Sequence, residues 1–214
     1  MRKVLFTLAA VGIASGAAMA QTATIGGATN ASVNGTFDPQ TIITPSLSFQ
    51  YGTLMATGAG TFTFTYLGNE SGYTNGFRLD LNGASLNESN PVGTSATMSV
   101  GGGNLMPAFT FLTTNPTGLS SASNGGTYTD NSNPSFAIIS NAGGGDVWAS
   151  WGGARYAFQY VLGFNDAFSG DRDFDDYKVG VNFIAAPVPE PSTYALMLAG
   201  LVAVGYMARR RRSE

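Results

Sequence analysis

The run Gly60-Thr61-Phe62-Thr63-Phe64-Thr65-Tyr66 alternates threonine with aromatic residues. An extended chain places Phe62, Phe64 and Tyr66 on one face and the threonines on the other. From Gln21 to Ile184 no stretch holds helical periodicity for three turns, whereas short alternating runs of this kind recur. Strands are expected at 46–51, 60–66, 77–81, 94–100, 108–113, 136–140, 147–151, 156–164 and 177–184. Between them lie turn clusters at 69–75, 82–83, 101–104, 124–126 and 143–146. The weakly patterned segment 115–134 reads as a surface loop. Small and turn-prone residues (29 Gly, 22 Thr, 19 Ser, 15 Asn) favour strands and loops over helices. The expected fold is all-β, a single β-sandwich of jelly-roll-like type, with no repeat period that would argue for a solenoid or propeller.

The chemical inventory is narrow. No histidine and no cysteine occur among the 214 residues, which excludes His-based triads, thiolate or imidazole metal sites, Cys nucleophiles and disulfides. No G-x-S-x-G, S-x-x-K, Walker loop or dinucleotide fingerprint is present. A glycosidase would need two opposed carboxylates, and Asp38, Glu70, Asp80, Glu88, Asp130 and Asp146 all lie in or near turn-rich sequence, where solvated acids are the commoner case. From Gln21 to Val188 only Arg78, Arg155, Arg172 and Lys178 stand against eleven acids, a formal balance of −7. A nucleic-acid partner is not expected for so acidic a body.

The remaining basic residues cluster at the two ends. Arg2-Lys3, an apolar run from Val4, and Ala18-Met19-Ala20 before Gln21 make up a charged, apolar and A-x-A pattern. It reads as a secretory signal peptide over 1–20, cut between Ala20 and Gln21. The body of the protein is then 21–186, an extracytoplasmic domain. At the other end, prolines at 187, 189 and 191 favour an extended stretch, followed by apolar residues and then Arg209, Arg210, Arg211 and Arg212. The segment 193–208 predicts an apolar helix of about 24 Å, against a hydrocarbon core of about 30 Å. Snorkelling arginines and local thinning are expected to make up the difference, with the arginines kept cytoplasmic as a transmembrane anchor.

Val188-Pro189-Glu190-Pro191-Ser192, an apolar segment and a terminal arginine cluster together resemble the PEP-CTERM sorting signal of exported bacterial proteins. The resemblance covers 187–214 and assigns the sorting motif to Pro189, Glu190 and Pro191. It implies recognition by a membrane-embedded exosortase, cleavage near the motif, and a Gram-negative bacterium that makes exopolysaccharide. The expected role is a structural or adhesive, non-enzymatic component of the envelope or extracellular matrix. A carbohydrate-binding module is the alternative, and a polysaccharide-active enzyme the third reading.

Five of the eleven acids of the body fall between Asp166 and Asp176. Asp171, Asp173 and Asp175 alternate, so their carboxylates would converge around one hard cation such as Ca²⁺. An EF-hand is excluded, because its sixth position would be Asp176 instead of Gly and its twelfth Asn182 instead of Glu. Gly170-Asp171-Arg172-Asp173-Phe174-Asp175-Asp176 also resembles an acidic-loop ending found ahead of the sorting tail in such exported proteins, which implies a calcium role for Asp171, Asp173, Asp175 and Asp176. The competing expectation is structural, with Arg172 and Lys178 offsetting the acids and carboxylates capping backbone amides. Trp148 and Trp151, three apart, would face opposite ways on a strand, leaving one exposed as a contact for sugar rings.

Overall fold

A computed structural model describes residues 21–33, 35–118, 120–128, 134–166, 173–187 and 191–211, the last with side chains from Leu196 onward. The chain divides into two units, Gln21–Ala186 and a second composed of Met1–Ala20 with Pro187–Glu214. The signal-peptide reading of 1–20 and its cut at Ala20 lie outside the described residues.

The first unit is all-β. Its strands are β1 (Ala23–Asn30), β2 (Leu47–Ala56), β3 (Gly60–Gly68), β4 (Thr74–Leu79), β5 (Ser85–Asn87), β6 (Ser95–Val100), β7 (Phe109–Asn115), β8 (Ser121–Ser123), β9 (Ser135–Asn141), β10 (Val147–Trp151), β11 (Ala154–Phe158), β12 (Tyr160–Asn165) and β13 (Tyr177–Ala185). A seven-stranded sheet runs β1-β2-β9-β12-β13-β3-β6, a four-stranded sheet runs β5-β4-β7-β8, and β10 and β11 form a separate hairpin. The ladders between these strands are antiparallel. Seven strands facing four, with a hairpin outside, differ from the eight-stranded arrangement of a jelly roll.

The alternation read from sequence decides the core. Phe62, Phe64 and Tyr66 of β3 and Tyr177, Val179, Val181 and Phe183 of β13 turn to the same side and meet Phe77, Leu79, Phe109 and Phe111 of the smaller sheet. The rings interlock: Phe111 lies parallel to Phe164 at 5.2 Å, and Phe64 touches both Phe77 and Phe109. Offset and edge contacts of this kind add to the burial of area. The opposite face of the large sheet is also covered. Leu67, Ile139 and Val161 point outward there and are buried by Val147, Ala149 and Phe158 of the hairpin and by Ile42. Burial on both faces gives the unit three layers.

The large sheet is curled, and chain connectivity requires it. β2 and β3 stand four places apart in the strand order but are joined by residues 57–59 alone. Four spacings in a flat sheet would separate them by about 19 Å, while the four Cα–Cα steps from Ala56 to Gly60 reach about 14 Å at most. Accordingly β2 pairs with β9 only over 47–50 and then leaves it, its register with β1 broken opposite Gly52. A Cβ on Gly52 would meet Ile25 Cγ2 at 2.6 Å, so this close approach needs glycine. Past the bend, the Asn124 side chain at the end of β8 pairs with both backbone groups of Leu54. That amide joins the curled edge to the small sheet.

The strand expected at 156–164 is two strands. β11 belongs to the hairpin and β12 to the large sheet, and Gln159 lies between them. The Gln159 side chain takes the place of a peptide group, its Oε1 accepting from Phe183 N at 3.0 Å and its Nε2 donating to Phe183 O at 3.4 Å. The expected loop 115–134 contains β8, whose three residues are too short for periodicity to reveal.

In the second unit, α1 (Pro191–Arg211) is helical where a helix is expected. Its described side chains are exposed and include Leu196, Leu198, Leu201 and Val202. The expected membrane span is not found: among the described residues no helix is long and apolar enough to cross a membrane. The apolar stretch 195–208 is interrupted by Gly200, Gly205 and Tyr206 and measures only about 21 Å.

Candidate functional site

Two regions of the β unit concentrate polar or exposed aromatic chemistry, and both lie where sequence reasoning placed candidates. The first is the acidic segment between β12 and β13. Asp171 falls outside the described residues, while Asp173, Asp175 and Asp176 fall within them. Among the described residues no three His, Cys, Asp or Glu side chains gather in a metal-holding group. Asp175 and Asp176 accept backbone hydrogen bonds. Asp175 accepts the backbone N–H of Asp38, and Asp176 accepts that of Asp166 at 2.7 Å. Asp166 in turn accepts from the Ser71 hydroxyl and from Asn75 Nδ2. Asn75 spreads the network further: its N–H donates to Glu88 at 2.7 Å and its Oδ1 accepts from the Thr113 hydroxyl at 3.0 Å.

Phe174 explains why adjacent acids reach different partners. It adopts a left-handed conformation, φ 61°, and its ring is fully buried against Tyr51 and Ala137. A non-glycine residue at positive φ is strained and persists only where its surroundings hold it, as the buried ring does here. The turn brings the Phe174 carbonyl over Gly163 of β12, where a Cβ would collide with it.

Lys178, expected to offset the acids, is fully buried on the outer face of β13. Its ammonium donates to the Asp175 carbonyl at 2.9 Å and lies 5.8 Å from the centre of the Phe37 ring. Burial pulls its pKa down, opposed by the charges of Asp175, Asp38, Glu70 and Asp176. Burial also pushes Asp175 up to about 7, opposed by the Asp38 amide and assisted by hydrogen bonding and repulsion from Asp173. Glu88 is raised by burial, with Asp166 adding to the effect against the Asn75 amide. Tyr66, whose hydroxyl donates to Asn69, is pushed up to about 12 by burial and by Glu88. No sequence signal distinguished Lys178 from a surface lysine, since its alternation with Tyr177 and Val179 puts it on the face expected to be polar.

The second region is the β10–β11 hairpin. The structure separates the two tryptophans as the spacing implies. Trp151 turns inward and stacks on Tyr156 at 3.7 Å, its indole edge packed over Gly93. A hollow of about 240 Å³ beside it is lined by Thr65, Ser95, Asn182 and Tyr156. Trp148 faces out and is 44% exposed. It lines a groove of about 310 Å³ with Ile43, Thr44, Pro45, Asn141 and Arg155. Its backbone is held from both sides. It pairs with Ala157 in β11, donates from its N–H to Thr44 Oγ1 at 2.7 Å and accepts from Ile43 N at 2.8 Å.

Residues 187–212 match the family model of the PEP-CTERM protein-sorting motif. The chain carries a PEP-CTERM sorting signal. The match covers the same residues that carry the resemblance in the sequence, including Pro189, Glu190 and Pro191. Pro189 and Glu190 lie outside the described residues, and Pro191 opens α1, a position that tolerates proline because the first helical N–H has no intrahelical partner. The PEP-CTERM motif implies an exported, membrane-anchored precursor in Gram-negative bacteria, with an exosortase as its processing partner. No curated protein and no solved structure matches the chain.

Proposed function

We propose that this protein is a structural or adhesive component of an exopolysaccharide-containing matrix, released to the envelope or beyond after its PEP-CTERM tail is processed. The observation that carries the reading is the sorting-motif match at 187–212, directly after a β unit that ends at Ala186. The proposed role is non-enzymatic. In support, the inventory lacks His and Cys, and the acids Glu88 and Asp166 both hold Asn75 in place. The proposed calcium role belongs to the acidic segment that includes Asp171, with Asp173, Asp175 and Asp176 as further oxygen donors of the type that suits a hard cation.

Replacing Pro189-Glu190-Pro191 with alanines tests the sorting step. Fractionation should then find the protein uncleaved in the inner membrane. Unaltered release into the medium or matrix would contradict the proposal.

One observation favours a second reading, a carbohydrate-binding module. Trp148 is an exposed indole on the β10–β11 hairpin, its backbone hydrogen-bonded to Ile43 and Thr44, beside a groove, the arrangement that suits stacking on a sugar ring.

A further inference from the structure

Among the basic residues described in the β unit, Arg78 is paired with Asp80 at 3.0 Å and Lys178 is buried. Arg155 differs from both. It is exposed, and among the described residues it forms no ion pair. It also shares the groove with Trp148. The hairpin register accounts for this. Trp148 pairs with Ala157 and Ser150 with Arg155, so Trp148 and Arg155 are diagonal neighbours on the outward face. Diagonal neighbours lie about 7–8 Å apart, their Cβ atoms somewhat closer, within reach of two long side chains.

We propose that this groove binds an acidic saccharide, with the ring of a uronic-acid unit stacked on Trp148 and its carboxylate paired with Arg155. The inference rests on the carbohydrate-binding reading and names its ligand class. A sugar ring has an apolar face of C–H bonds that fits an indole, and a guanidinium pairs with a planar carboxylate through two parallel N–H···O bonds. The volume of about 310 Å³ is at the small end of ligand pockets, about 300–1,000 Å³, and suits one or two rings. Ile43 and Pro45 supply an apolar wall, and the Trp148 and Ile43 backbones bond to each other, so the site needs little ordering on binding. The formal −7 of the body repels an anionic chain elsewhere, which leaves Arg155, the exposed and unpaired cation among the described residues of the β unit, as its landing point. That repulsion is screened beyond about 8 Å at physiological ionic strength.

The test uses the full-length protein in detergent and oligosaccharides of matched length. Galacturonate, glucuronate and mannuronate oligomers are titrated against their neutral galactose, glucose and mannose counterparts, with tryptophan fluorescence and calorimetry as readouts. At least one uronate series should bind about tenfold or more tighter than its neutral partner. Arg155→Gln should erase that preference while Arg155→Lys keeps part of it, and Trp148→Ala should abolish binding of both forms with an unchanged melting temperature. Equal binding of acidic and neutral oligomers, lost in Trp148→Ala, would overturn the acidic assignment and leave the carbohydrate-binding reading standing. Sulfated neutral oligomers binding as tightly as uronates would overturn the carboxylate assignment. Absence of binding to every oligomer would overturn both.

Discussion

The backbone N–H of Asp38 donates to the carboxylate of Asp175, a bond across 137 residues that fastens the acidic segment to the stretch leading into β2. Lys178 and Phe37 meet at the same junction. The acidic segment therefore acts as a clasp between loops whatever else it binds.

Asp175 makes the clasp sensitive to pH. Its folded pKa, about 7, is above the ordinary carboxylate value of 3.8, so the folded state holds the proton more tightly than the unfolded chain does. Stability from this group is full below about pH 4 and is lost as pH rises toward 7, with a slope of at most about 1.4 kcal/mol per pH unit. The Asp38 amide and the Lys178 ammonium favour the charged form of this carboxyl, and Asp173 opposes it. In Asp175→Asn the side-chain oxygen still accepts from Asp38, and urea denaturation from pH 4 to 7 should show a flatter stability profile than the parent. An unchanged slope would show that Asp175 does not titrate in this range.

Gly163→Ala should destabilise the unit by about 1–3 kcal/mol, because the added methyl meets the Phe174 carbonyl and Ile139 Cδ1. A backbone carbonyl held by a buried ring cannot step aside cheaply. Chemical denaturation measures the effect, and a neutral result would mean the 173–176 turn is not seated on β12 as described.

Gln159→Leu removes the two bonds to the Phe183 backbone at the point where β11 parts from β12. Leaving that N–H and C=O without partners costs about 1–3 kcal/mol. Gln159→Glu keeps the acceptor and loses the donor, so its melting temperature should fall between those of the parent and Gln159→Leu.

Phe111→Ala should cost about 3–5 kcal/mol, since the ring touches Phe77, Phe109, Phe136, Phe164 and Tyr177 across both sheets. A loss below about 1 kcal/mol in denaturant titration would mean that the sheets do not share one core.

Chelation tests the calcium proposal. EDTA should lower the melting temperature of protein purified in calcium buffer if Asp171, Asp173, Asp175 and Asp176 hold the ion. An insensitive melt would leave Asp175 and Asp176 with their amide-binding roles alone.

Period-two alternation was enough to find β3, β6, β9, β10 and β13, to assign Phe62, Phe64 and Tyr66 to the core, and to send Trp148 and Trp151 to opposite sides. The sorting signal was equally legible, because three prolines, an apolar run and four arginines occur in a fixed linear order. The strands β5 and β8 escaped notice because three residues cannot display a period, and β1 because Gly26-Gly27 interrupts it.

Other features were settled by what lies across space from each residue. Alternation reports which way a side chain points, but not what it meets. Lys178 points away from the main core as its position predicts, yet it is buried because the 173–176 turn and Phe37 cover that face. The curl of the large sheet, the division of 156–164 at Gln159 and the meeting of Trp148 with Arg155 in one groove all depend on contacts between segments distant in sequence or on the register of a hairpin. Such contacts form only when the chain closes on itself, and no local periodicity encodes them.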